Sequence, residues 1–112
     1  MINYNGKIFS PINNDEGEGY SEETFFVFRQ TGIILTSNYS GGAIIRGQIL
    51  ALVDEEGSMK MSFHHVTTDL ALITGTGKFI PEILPNGKIM LLQKWNLING
   101  DLAEKKLLLF EH

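Results

Sequence analysis

Apolar and polar residues alternate with a period of two along most of this chain. The longest such stretch covers residues 41–65. It opens on Gly41-Gly42, runs almost without punctuation to Asp54, turns at Glu55-Glu56-Gly57 and returns from Ser58 to His65. Successive side chains of a strand face opposite ways, so the pattern predicts a long β-hairpin around a tight acidic-glycine turn. On the outgoing strand Ile45, Gly47, Ile49, Ala51 and Val53 are all apolar or small and are expected inside. Ile44, Arg46, Gln48, Leu50 and Leu52 then form the outer face. On the return, Met59, Met61, Phe63 and His65 face in, against Lys60, Ser62, His64 and Val66.

The same reading places further strands over residues 7–12, 22–30, 33–39, 70–80, 88–97 and 105–111. Turn chemistry separates them: Asn5-Gly6 ahead of the first, a polar acidic loop over 13–19, then Thr31-Gly32, Ser40-Gly41-Gly42 and Thr67-Thr68-Asp69. A connection over 81–87 and an Asn99-Gly100-Asp101 turn follow. Phe26 and Phe28 share one face of the second strand. Ala71, Ile73, Gly75, Gly77 and Phe79 share one face of the sixth. On the seventh, Ile89, Leu91, Gln93, Trp95 and Leu97 point in while Met90, Leu92, Lys94 and Asn96 point out. The one short helical candidate is 101–106. Eight strands joined by short connections predict an all-β, antiparallel up-and-down meander. Closing it into a small barrel removes two unpaired edges; a two-sheet sandwich is the alternative.

At 112 residues the chain is expected to be one domain over 1–112 with one core. The absence of cysteine excludes disulfides, thiolate catalysis and Cys-ligated zinc. A net charge of −4, with acids spread along the chain, argues against nucleic-acid and anionic-membrane surfaces as partners. The first residues lack the basic segment and apolar run of a secretory signal. No apolar run approaches the roughly 20 residues of a membrane span, so a cytoplasmic location is expected.

Two groups of residues carry the functional expectations. Phe26, Phe28, Tyr39, Met61, Phe63, Gln93 and Trp95 would line an apolar pocket with a few polar anchors, or fill the interior. A barrel of eight strands stands at the size where either outcome is possible. Inward Gly47, Gly75 and Gly77 fit either a cavity or a close backbone approach. Ile44, Leu50 and Leu52 on the fourth strand, with Met90 and Leu92 on the seventh, would form an exposed apolar patch, which predicts self-association as a homodimer. His64 and His65 are adjacent and therefore point to opposite faces, so they cannot converge on one metal, and the terminal His112 is expected to be mobile. Arg46, Gln48, His64, Lys78, Glu82 and Lys94 read as surface groups, and Ser40-Gly41-Gly42 as a hairpin turn rather than a nucleophile elbow. No catalytic residue, metal site or cofactor is predicted.

Three stretches, Tyr39-Ser40-Gly41-Gly42, Leu52-Val53-Asp54-Glu55-Glu56-Gly57 and Pro81-Glu82-Ile83-Leu84-Pro85-Asn86-Gly87-Lys88, resemble a family of small bacterial proteins often labelled N-acetylglutamate synthase. The resemblance implies acetyl transfer from coenzyme A. Such transfer usually uses a glycine loop at a helix N-terminus to hold the pyrophosphate. The nearest match, Arg29-Gln30-Thr31-Gly32-Ile33-Ile34, places Ile34 where a small residue is expected and leads into a strand. The architecture is also similar to calycin- and avidin-type barrels, which implies a small apolar or amphipathic ligand in the barrel mouth. The leading expectation is thus a non-catalytic small-ligand-binding barrel. The second is a protein-interaction module using an apolar outer face, and the third an acetyltransferase.

Overall fold

The computed structural model of the chain describes residues 2–12, 20–98 and 103–112. Among these, eight strands follow in order: β1 (Ile8–Pro11), β2 (Phe25–Thr31), β3 (Ile34–Gly41), β4 (Ile44–Val53), β5 (Met59–Thr67), β6 (Leu72–Ile83), β7 (Ile89–Leu97) and β8 (Lys105–Glu111). Each is antiparallel to the next, and β8 pairs back onto β1, so the meander closes into a barrel. The closed barrel, not the sandwich, is the fold. The acidic loop over 13–19 and the turn over 99–101 lie outside the described residues. So do the first two positions of the helical candidate, while Lys105 and Lys106 begin β8.

Side-chain alternation builds the core. Along β2, β3, β5, β7 and β8 alternate residues turn inward, and with the inward residues of the other strands they make one buried cluster from Phe9, Phe26 and Phe28 round to Leu107 and Leu109. Two segments outside the strands plug the ends. Tyr4 closes the end carrying the β2–β3, β4–β5 and β6–β7 turns. Its hydroxyl donates to the Gly57 carbonyl at 2.6 Å and its backbone N–H to Gln30 Oε1 at 2.9 Å. Burial, then the nearby Asp54 charge, pushes the Tyr4 phenol above its ordinary range. Tyr20 covers the opposite end. The Thr24 hydroxyl holds that segment, donating to the Gly41 carbonyl at 3.0 Å.

Three expectations need correction. Ile44 is buried and Ile45 exposed, the reverse of plain alternation. The β4–β5 register slips between Ile44 and Arg46, so Ile45 is the extra residue of a bulge and the residue before it turns inward. The sixth strand runs past Ile80 to Ile83, through Pro81. Beyond Phe79 it pairs with β7 only, and a strand paired on one side tolerates a residue lacking an N–H. His112 is held: its backbone N–H donates to the Ile8 carbonyl at 2.8 Å, its imidazole bonds the Ser10 hydroxyl, and its ring meets Phe25 edge-on.

Candidate ligand site

The expected pocket residues all face the interior and all are buried, but they do not form one group. Phe26 (β2), Tyr39 (β3), Phe63 (β5) and Trp95 (β7) gather beneath Tyr20. The Tyr20 ring lies 5.7 Å from Phe26, 6.0 Å from Tyr39 and 5.7 Å from Trp95, the last edge-on at 89°. Phe26 stacks on Tyr39 at 4.6 Å. Phe28 belongs to the other end, against Tyr4, Phe9 and Phe79. Met61 and Gln93 stand between, with Gln93 in register with Phe79 and Leu107.

The space beside inward Gly47 and Gly75 is taken by rings. Gly47 pairs with Tyr39, and a Cβ on it would lie 2.2 Å from the Tyr39 ring. Gly75 pairs with Phe63, and its Cβ would meet that ring at 2.6 Å. Each glycine therefore lets a cross-strand aromatic ring lie flat on the backbone, fixing the walls of the aromatic box. Of the two readings the glycines allowed, close approach is the one realised at both positions, and also at Gly77, where a Cβ would run into the Lys94 carbonyl oxygen of β7.

Polar atoms are few and well buried. The Tyr39 hydroxyl is bonded to His65 Nδ1 at 2.9 Å, and burial pushes its phenol well above the ordinary tyrosine range, with the nearby Tyr20 side chain acting the other way. His65 is fully buried, stacked along β5 on Phe63 at 5.7 Å and edge-on to Tyr20 at 5.4 Å. Its neighbour His64 is exposed, with Nε2 donating to Gln48 Oε1 at 3.2 Å, so the pair splits across the wall as alternation requires. Gln93 and Trp95 are completely buried. Neither the Gln93 amide oxygen and nitrogen nor the Trp95 indole N–H has a hydrogen-bond partner among the described residues. Among the described residues no Asp, Glu, Lys or Arg is buried with them. Among the described residues no group of three His, Asp or Glu side chains is arranged to hold a metal, and no helix is long and apolar enough to cross a membrane.

Tyr20 and His65 were missing from the expected pocket. Tyr20 had a signal: a single bulky aromatic directly after an acidic loop and before a strand. For His65, alternation gave its inward direction, while the partner on β3 depends on cross-barrel geometry.

The expected interface residues also separate. Leu50 and Leu52 are exposed on β4, and Leu52 pairs with exposed Ile34. An open depression of about 400 Å³ lies between these residues and Lys60. Met90 and Leu92 are half-buried on β7, three strands further round, and Ile44 is inside. The expected interface residues therefore do not form one continuous patch.

No curated protein and no solved structure shows significant similarity to the chain. A family model described as avidin-like protein matches residues 2–112, in keeping with the closed eight-stranded antiparallel barrel, and the chain belongs to the avidin-like family.

Proposed function

We propose that the barrel interior binds a small, uncharged, largely apolar ligand bearing one compact polar group. The observation that carries this reading is the buried Gln93 amide and Trp95 N–H, unpartnered among the described residues, beneath an aromatic box. A buried polar group without a partner costs about 1–3 kcal/mol, and a core with no further use for position 93 would be more stable with an apolar residue there. A ligand that accepts from Trp95 and both donates to and accepts from Gln93 would remove that cost. An ionised head would meet no buried counter-charge among the described residues, which favours a neutral polar group. Membership of the avidin-like family supports a small-ligand role.

Gln93→Leu tests this reading. It is expected to raise the unfolding free energy of the ligand-free protein by about 1–3 kcal/mol and to abolish binding. Native mass spectrometry detects a bound small molecule. Trp95, the only tryptophan in the chain, reports occupancy through its emission. A destabilised Gln93→Leu protein, together with wild type that carries no bound mass, would show the interior to be structural filling.

A second reading is self-association through the β3–β4 wall. Its support is the exposed Ile34, Leu50 and Leu52 strip around the depression between them. Acetyl transfer is the third. It would have to hold a pyrophosphate without a helix terminus among the described residues. Release of coenzyme A from acetyl-coenzyme A in the presence of glutamate measures it.

A further inference from the structure

The strand register puts four lysines side by side on the outer wall. Lys60 on β5 pairs with Lys78 on β6, Lys78 with Lys94 on β7, and Lys94 with Lys106 on β8. Neighbouring strands lie about 4.8 Å apart, so the row spans roughly 15 Å of the circumference. Like charges directly opposite one another destabilise a sheet. Lys60, Lys78 and Lys94 form no ion pair among the described residues. The chain has nine Lys and Arg against thirteen Asp and Glu, and four of the nine stand in this one row. An open groove of about 430 Å³ lies along Lys60, Lys78 and Lys94, with Thr76 and Asn96 adding uncharged donors and Glu104 also lining it.

We propose that this wall binds a flexible linear polyanion, a phosphate polymer without bases. Four observations select that occupant. The row follows the curve of a closed barrel, so a stiff duplex would touch it at a tangent, whereas a flexible chain can wrap it. No exposed aromatic ring stands in the row or the rows beside it for bases to stack on; exposed Phe25 lies on β2. Every unit of a phosphate polymer is charged in its own backbone. An extended acidic peptide turns alternate carboxylates away, leaving same-face charges nearly 7 Å apart by the strand rise, a poor match to the strand spacing. Lysine ammonium groups act as point charges that accept phosphates in any orientation.

The test is titration of end-labelled polyphosphate of several tens of units, followed by fluorescence anisotropy. Wild type is expected to bind at low salt and to weaken roughly 30-fold between about 50 and 200 mM salt, as three to four phosphate contacts imply. Lys78→Glu/Lys94→Glu should lose at least tenfold of the affinity at low salt. Lys78→Gln/Lys94→Gln should lose less but in the same direction. Arg29→Glu/Lys88→Glu, with the same change in net charge at exposed positions off the row, should keep most of it. Unchanged Trp95 emission confirms that each variant is folded. No binding by wild type overturns the proposal, as does an equal loss in the two charge-reversed proteins. Equal or tighter binding of oligothymidylate or polyglutamate overturns the assignment to a bare phosphate chain.

Discussion

Glu111 joins three elements at the barrel seam. Its carboxylate accepts from Lys7 Nζ at 3.0 Å and from the Ile89 backbone N–H at 2.9 Å. Burial alone would raise its pKa. The Lys7 hydrogen bond, then the Ile89 N–H and the charges of Lys7 and Lys88, outweigh burial and hold it below 4.5. The folded state therefore releases this proton more readily than the unfolded chain. The stabilisation is fully present above the unfolded value and drains away as pH falls through the lowered folded one. Glu111→Gln is expected to be less stable than wild type near neutrality, with the gap closing on acidification. Thermal melts of both proteins from about pH 7 to about pH 3 check this, and a gap constant across that range would contradict it. The sequence showed Lys7 and Glu111 only as two charges 104 positions apart. Their meeting depends on barrel closure, which no local pattern encodes.

Between strands, the working unit is an aromatic residue paired with a glycine. Tyr39 lies on Gly47 and Phe63 on Gly75, and the backbone beneath each ring leaves no room for a methyl group. Gly47→Ala is expected to destabilise the fold by about 1–3 kcal/mol, as overpacking does. Urea denaturation measures it. The loss should shrink in a Tyr39→Ala background, where the ring is gone, and an undiminished loss would place its cause elsewhere. Strand identity and facing were legible at this scale because alternation is local. Lys105–Glu111 matches the expected bounds, and the inward faces of β5 and β7 are as read. Two features escaped. A bulge shifts the register by one residue without any change in composition, so Ile44 and Ile45 exchanged sides. Pro81 looked like the end of a strand because its tolerance depends on where β5 stops pairing.

Across the whole molecule, the Ile34–Leu52 strip and the lysine row constrain how two copies can meet. A symmetric contact through β5–β8 would oppose two rows of ammonium groups, while the β3–β4 wall presents exposed apolar side chains. Leu50→Glu/Leu52→Glu is expected to convert a self-associating protein to monomer. Sedimentation velocity reads this directly, and an unchanged sedimentation coefficient would dismiss the wall as the contact. The closed meander was legible because eight short runs with unpaired edges have few stable arrangements. The site was legible only in part, since alternation gives direction but not which rings meet. Closure itself has a thermodynamic consequence. β1 contributes only four residues, and the bonds sealing it to β8 span more than a hundred positions. The hairpins from β2 to β8 can form from near neighbours. The last joint encloses nearly the whole chain as one loop and must overcome the entropy of doing so in a single step. The cooperativity of the barrel, and the retention of anything inside it, therefore rest on its shortest strand.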